Sequence, residues 1–546
     1  MRKVFKIFSL VMILSMALAA CAAPAAQTEN TSKHEAGSQQ GNADTTNASG
    51  QTTTDQSGQK SEAVKGQTLK VHLYEDIQNV DPAFYPSDAD ESIMSDVYEG
   101  LVGWKPGSFE VENVLAEEIN KSDDGKEITF KLREGVQFHH GYGELTAEDV
   151  KFSYERMIDP DLHAVFATDW AALDHVEVTG KYTGTIILKE SSAPLWVVTL
   201  PGTSGFILSE KAVKEKGNDG IATSPVGTGP YEFSEWKPNA YVKETLFKDY
   251  WGTKPEWTEI VHQYIPEESS VAIALETGEL DFGRVSPSAV RQFEGKDSYK
   301  VVSVPSLDWE VMFMNVQHPL LKDANVRKAI RSAIDVDAIN QAVYEGKYQP
   351  LCNMMTSQMI GYWKDAPCYV RDIEKAKAYM AKAGVSGLEL HLAIQNTEDE
   401  KAVGEIIQAN LADIGIKVTL DIEDDSTFTE EGFGPEAVKK RQMVYLNWIN
   451  YPDPSLTTPF FKCDQVTQWN WMYYCNPEFD KLNDDALKEM DSQKRADMYI
   501  EMQKMVDEEA GAVFVSNIVL YYVSRAGLEP SITPHGRVLA DNFKSK

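Results

Sequence analysis

The sequence predicts a mixed α/β protein with two or more lobes, on three observations. The chain has 546 residues and a mass of 61.0 kDa, whereas single hydrophobic cores stop growing at roughly 250–300 residues. Its 42% hydrophobic and 10% aromatic content is enough to fill such cores. Beyond about residue 65, segments that alternate with period two exchange with segments of helical period.

The first element is an export signal. In MRKVFKIFSLVMILSMALAAC, Arg2, Lys3 and Lys6 precede an apolar run from Ile7 to about Leu18, and small Ala19 and Ala20 precede Cys21. Leu18-Ala19-Ala20-Cys21 resembles the lipobox of bacterial lipoproteins, which implies cleavage after residue 20 and a lipid on Cys21. An ordinary secretory signal and an uncleaved apolar anchor are the alternatives, and all three export the chain. The following run, AAPAAQTENTSKHEAGSQQGNADTTNASGQTTTDQSGQKSEA, has no Val, Ile, Leu, Phe, Tyr or Trp. A segment with nothing to bury cannot offset its ordering entropy, so 21–65 is expected to be a lipidated cysteine and a flexible tether.

The folded part then begins. LKVHLY and EITFKL read as strands, and Thr146 is an N-cap candidate for a helix whose Val150, Tyr154 and Met157 fall near helical spacing. DIEKAKAYMAKAG and KAVGEIIQANLADIG read as helices that end on Gly384 and Gly415. Each is followed by a strand, LELHLAI and IKVTLDI, and this helix-to-strand alternation is the mark of α/β lobes. No repeat of solenoid length is visible, and no second apolar run approaches the roughly 20 residues that cross a bilayer.

Composition narrows the function. Asp plus Glu number 84 against 52 Lys plus Arg, a net charge of -32 and a pI near 4.7. Such a chain repels phosphate backbones and anionic headgroups, which excludes nucleic acid as a partner. GxSxG, HExxH and GxxxxGK[ST] are missing, so the common hydrolase, zinc-protease and P-loop readings have no support. His139 and His140 in QFHHGYGEL read as a strand end entering a turn, and acid pairs such as Asp424-Asp425 and Glu430-Glu431 as solvated loops. No metal, cofactor or enzymatic activity is expected. Of the cysteines other than Cys21, the local pairs Cys352 with Cys368 and Cys463 with Cys475 are the simplest disulfides in an exported chain. Their connectivity stays open at this level, and free thiols remain an alternative.

At SPVGTGPYEFSEWKPNAYVKETLFKDYWGTKPEWTEIVHQYIPEESSVAIALETGELDF, residues 224–282, the chain resembles the extracytoplasmic solute-binding proteins of ATP-binding cassette importers, in the group that includes dipeptide- and oligopeptide-binding members. YEGLVGW (98–104), ITFKLREGVQFHHG and LTAEDVKFSYERM (128–157) and VMFMNVQHPLLKDANVRKAIRSAID (311–335) extend the resemblance, with His140 where aspartate is usual. FFKCDQVTQWNWMYYCNPEFDKLNDDA (460–486) resembles the disulfide-bearing segment of dipeptide-binding members, which favours pairing Cys463 with Cys475.

The resemblance implies a two-lobed periplasmic-binding-protein-like fold with a hinged ligand cleft. The first lobe would be 66–305, with an extra subdomain near 106–205 and the return of 525–546, and the second would be 306–524. It also places a site. WINYPDPS (448–455) resembles a Trp-x-x-Asp-Tyr-x-x-Pro segment in which tryptophan packs on the ligand and aspartate pairs with a peptide's ammonium group. Here Trp448 and Tyr451 are present, one residue closer together than in that pattern, and Asn450 stands before the tyrosine where the aspartate would be. An amide gives an ammonium only a dipole, so Asp453 or another cleft acid would have to supply the charge, or the ligand has no free amine. Trp309, Glu310 and Tyr85 are further cleft candidates, and Arg371 and Arg441 are candidates for a ligand carboxylate.

The expected function is that of a monomeric lipoprotein on the outer face of the cytoplasmic membrane. It would capture a polar solute, a di- or oligopeptide first among the options, and deliver it to permease subunits. A non-peptide solute such as a sugar conjugate, a peptide-signal receptor and a motif-free hydrolase are the alternatives.

Overall fold

The computed structural model of the protein describes residues 68–84, 87–448 and 450–546. Cys21, the tether and Tyr85 lie outside these described residues. Among the described residues, no helix is long and apolar enough to cross a membrane.

Two long strands, Tyr299–Met314 and Ala512–Arg525, pair antiparallel and tie two lobes together. They form the centre of an eleven-stranded sheet. On one side Ala512–Arg525 pairs with Phe282–Val285, and the sheet continues through Thr68–Leu73, Glu259–Tyr264, Tyr241–Leu246 and Tyr231–Lys237. On the other side Tyr299–Met314 pairs with Met443–Trp448, followed by Glu389–Gln395 and Lys417–Glu423. The last two are parallel, Glu389 opposite Lys417, with the helix Glu398–Ala412 between them as the crossover that parallel pairing requires.

Local signals account for these elements. Thr68–Leu73 and Glu127–Leu132 alternate buried side chains with half-buried or exposed ones. At Ala147–Glu155 the Asp149 carboxylate accepts from both the N–H and the hydroxyl of Thr146, each at 3.0 Å. Helix Ile373–Ala383 stops at Gly384 with φ 68°. The helix read to Gly415 instead spans Glu398–Ala412: Thr397 caps its start, and it ends before Gly415, whose φ of +79° turns the chain into the next strand.

A separate four-stranded antiparallel sheet, Ala116–Lys121, Glu127–Leu132, Thr183–Leu188 and Leu173–Gly180, packs its Ile128, Phe130, Val176 and Ile186 with Val150 and Tyr154 in the first lobe's core. The C-terminal residues Leu528, Ala540 and Phe543 join Leu69, Val71 and Ile260 in that lobe. Met312, Ile330, Leu392 and Ile407 fill the second lobe.

The motif residues of the first lobe meet at one buried carboxylate. Glu99 accepts from Thr228 Oγ1 at 2.8 Å, Tyr250 OH at 3.0 Å and Trp251 Nε1 at 2.8 Å. A Cβ on Gly227 would stand 2.0 Å from the Val97 carbonyl oxygen, so only glycine lets this loop approach the helix Asp88–Val97. The VGTG and KDYWG segments are therefore structural elements of the lobe. His139 is buried in the turn after Gln137–Phe138 with its Nε2 2.9 Å from the Gly229 carbonyl, and His140 is exposed beside it.

Both local disulfides form, Cys352–Cys368 and Cys463–Cys475, with Cα–Cα distances of 4.7 and 4.3 Å. Each closes a short loop worth about 2–4 kcal/mol. The protein under dithiothreitol is therefore expected to unfold at lower denaturant than the oxidised protein, and identical midpoints would remove the disulfides from the account.

Candidate functional site

The strand Tyr299–Met314 breaks its pairing with Ala512–Arg525 where it crosses between the lobes. Pro305 pairs with Val519 and Trp309 with Asn517, so Ser306, Leu307 and Asp308 face a single residue. A bulge of this kind re-aims side chains. Asn517 Nδ2 holds it by donating to the carbonyls of Ser306 and Asp308 at 2.8 and 2.9 Å, and Ser306 Oγ accepts from the Asp308 N–H at 3.0 Å.

Asp308 thereby reaches a cavity of about 340 Å³ between the lobes. Glu75, Glu91, Trp104, Asp169 and His535 come to its wall from the first lobe, and Asn450, Tyr451 and Pro452 from the second. Four carboxylates line it, those of Glu75, Glu91, Asp169 and Asp308, and among the described lining residues there is no Lys or Arg. Burial holds the Asp169 carboxyl above its usual range, while burial and Arg537 lower His535 to about 3, so that this histidine is neutral. Glu91 is partly compensated, since it accepts from Thr203 Oγ1 at 2.8 Å and lies 3.9 Å from Arg537. Nearby, Lys488 of the second lobe pairs with Glu190 of the first at 2.6 Å, so the lobes touch across the cleft.

At the wall an acid and an amide stand side by side. Asp308 Oδ1 accepts from the Asn450 backbone N–H at 3.0 Å. The Asn450 side-chain oxygen accepts from Thr457 Oγ1 at 2.7 Å, which leaves its Nδ2 buried without an acceptor. An orphaned buried donor costs about 1–3 kcal/mol and is the natural mate of an acceptor on a ligand.

The structure brings Asn450 and Tyr451 to this cavity and sends other sequence candidates elsewhere. Asp453 is not the missing counter-charge: its carboxylate forms a buried bidentate pair with Arg495 at 2.5 and 2.6 Å and accepts from the Ser455 N–H. Trp309 is fully buried, packed edge-on to Phe313 and Phe514 and 6.4 Å from Trp448. Trp448 joins an aromatic cluster with Phe460, Trp469 and Trp471 and is 9% exposed. Arg371 pairs with Asp413, and Arg441 with Glu423, both within the second lobe. Asp308, the residue before the candidates Trp309 and Glu310, lines the cavity instead of either of them; it lies in the bulge, where strand alternation does not say which way a side chain points.

Glu310 also faces the core, where it accepts from the Tyr445 hydroxyl. Burial raises its carboxyl from 4.5 to about 7, against hydrogen bonds from Tyr344 and Tyr445 that lower it. A folded-state value above the unfolded one means that stability is fully present below pH 4.5 and is lost as pH rises through about 7. Glu310→Gln keeps the neutral form, so it should gain on the wild type between pH 5 and pH 8 in urea unfolding; a constant difference would contradict the assignment.

Two lobes joined by crossing strands around a cleft cavity lined by four carboxylates define a binding protein that closes on a small solute. The family described as bacterial extracellular solute-binding proteins, family 5 Middle, matches residues 110–468, and the chain belongs to it. It is 27% identical over 456 residues to the dipeptide-binding protein of Escherichia coli (strain K12), covering 78% of this chain and 84% of that one. It is 26% identical over 498 residues to a probable di/tripeptide-binding protein 5 of Pseudomonas aeruginosa (strain UCBPP-PA14), covering 86% and 94%. The structure of the ABC transporter-associated periplasmic binding protein DppA from Helicobacter pylori in complex with peptide STSA superimposes with a TM-score of 0.73 at 25% identity, over 88% of this chain and 98% of that chain. The protein is thus an extracytoplasmic solute-binding protein.

Proposed function

We propose that this protein captures short peptides through their free N-terminus and delivers them to an ATP-binding cassette permease, tethered to the membrane by a lipid on Cys21. The observation that carries this reading is that two adjacent residues line one cavity: Asp308, whose carboxylate accepts from the Asn450 backbone N–H, and Asn450, whose Nδ2 is buried without an acceptor. A peptide N-terminus offers the complement, an ammonium group one residue's reach from its own carbonyl oxygen. The charge that the resemblance places at 450 is carried instead by Asp308, whose Oδ1 is one hydrogen bond away from the Asn450 backbone. The names of the relatives as dipeptide- and di/tripeptide-binding proteins support the peptide class. Residues 66–305 with 525–546, and 306–524, are the lobes that would close, and the bulge at Ser306–Asp308 marks the crossing.

A second reading is favoured by the absence of Lys and Arg among the described lining residues: the ligand is a cation whose carboxylate, if it has one, is not held in this cavity. A thermal-shift screen separates the two. Free-amine tripeptides and their C-terminal amides should both raise the midpoint, amidation costing less than about threefold in affinity, or ~0.6 kcal/mol. Response to polyamines or other simple amines, with silence from every peptide, would replace the peptide reading with the second.

A further inference from the structure

Away from the cleft, the first lobe buries a cluster that the binding function does not use. Glu244 lies on the strand Tyr241–Leu246 and His262 on the neighbouring Glu259–Tyr264, where Val242 pairs with His262 and Glu244 with Ile260. His262 and Glu244 are therefore diagonal neighbours on one face of the sheet. The helix Asp88–Val97 brings Asp96 over that face. His262 Nε2 is 3.0 Å from Glu244 Oε2 and 3.4 Å from Asp96 Oδ2, and the three ligand atoms lie within 4.8 Å of one another.

All three side chains are shut away from solvent, with at most 1% exposed. Two carboxylates face a single imidazole, and Asp96 Oδ2 and Glu244 Oε1 receive no hydrogen bond. Asp96 Oδ1, by contrast, is satisfied by the Asp541 backbone N–H at 3.1 Å. Buried carboxylates are costly unless paired or bound to a metal. Around a first-row dication, imidazole nitrogen and carboxylate oxygen sit at about 2.0–2.2 Å, so neighbouring donors stand about 3–3.5 Å apart. The two separations here, the shorter of which is spanned by a hydrogen bond between His262 Nε2 and Glu244 Oε2, have that spacing.

We infer that Asp96, Glu244 and His262 form a structural binding site for a divalent cation of the zinc type. The donor set of two carboxylates and one imidazole suits a borderline first-row ion better than magnesium or calcium, which take oxygen ligands. The cation would pin the helix Asp88–Val97 to the sheet. That helix also carries Glu91 into the ligand cavity, so the site supports one wall of the cleft from behind. Among the described residues no thiol competes for the ion, because Cys352, Cys368, Cys463 and Cys475 are in disulfides.

The test uses the full mature chain without a histidine tag, stripped with EDTA and dialysed against Zn²⁺ alone. The site predicts one tightly bound equivalent and a rise of a few degrees in the unfolding midpoint, reversed by EDTA. Glu244→Gln and His262→Gln should each weaken that binding by about tenfold or more. His391→Ala, which removes an exposed histidine paired with Asp421, should leave it unchanged. Glu244→Gln preserves side-chain volume, and the wild-type isotherm stands whether or not either variant folds. Absence of stoichiometric Zn²⁺ in the wild type would mean that the imidazole serves only as a counter-charge to the two acids. Binding that survives in both variants would place the ion elsewhere, and either result overturns the inference.

Discussion

Asp308→Asn is expected to abolish most of the affinity for free-amine peptides. Asp308 lines the cavity between the lobes, and the bulge holds its backbone through Asn517 and Ser306. Removing one member of a buried, hydrogen-bonded charge pair costs about 2–5 kcal/mol, or roughly thirty-fold to several thousand-fold in affinity. The change preserves shape, so the fold should persist, and calorimetry on the purified variant reads the loss directly. The charge swap Asp308→Asn with Asn450→Asp tests whether the lost element is the charge: it returns one carboxylate to the same patch of wall and should recover part of the affinity. Full affinity in the single variant would exclude Asp308 from ligand binding.

The largest effect on stability is expected at Asp453. Its bidentate pair with Arg495 has side-chain exposures of 4% and 3%, and Arg495 also donates to Tyr499 OH and the Ala486 carbonyl. Asp453→Ala would leave that guanidinium buried without its counter-charge, which costs about 3–5 kcal/mol. Because Asp453 also caps the short turn Pro454–Leu456, next to Asn450–Pro452, the same change should loosen the cavity wall and weaken binding. Urea unfolding measures the first effect. Replacing both partners, Asp453→Leu with Arg495→Leu, should be less damaging than Asp453→Ala alone, since no lone charge remains; equal or greater damage would show that packing, and not charge, dominates at this position.

The sequence made the scaffold more legible than the site. Strands such as Thr68–Leu73 and Glu127–Leu132 are written in their alternation, and the end of Ile373–Ala383 in Gly384, because these signals are local. The disulfide pairs were legible because both partners sit a short loop apart. Asp308 was not, since its direction depends on a register break between strands separated by about two hundred residues. For the same reason Asp453, which looks like a free acid in WINYPDPS, is spoken for by Arg495, 42 residues away. The cluster of Asp96, Glu244 and His262 has no sequence signature at all, being assembled by a helix and two strands. Glu99 shows the converse case: the recognisable VGTG and KDYWG segments are distinctive because they converge on a buried carboxylate, which concerns the lobe and not the ligand.

The most direct measurement is calorimetric titration of the mature protein with one tripeptide and with the same tripeptide acetylated at its N-terminus. Acetylation removes the ammonium group and changes little else. Recognition through Asp308 predicts a loss of about a hundredfold or more, or ~2.7 kcal/mol. Equal affinity for the two forms would contradict it, and would mean that the carboxylates of this cavity serve some purpose other than holding a peptide's free end.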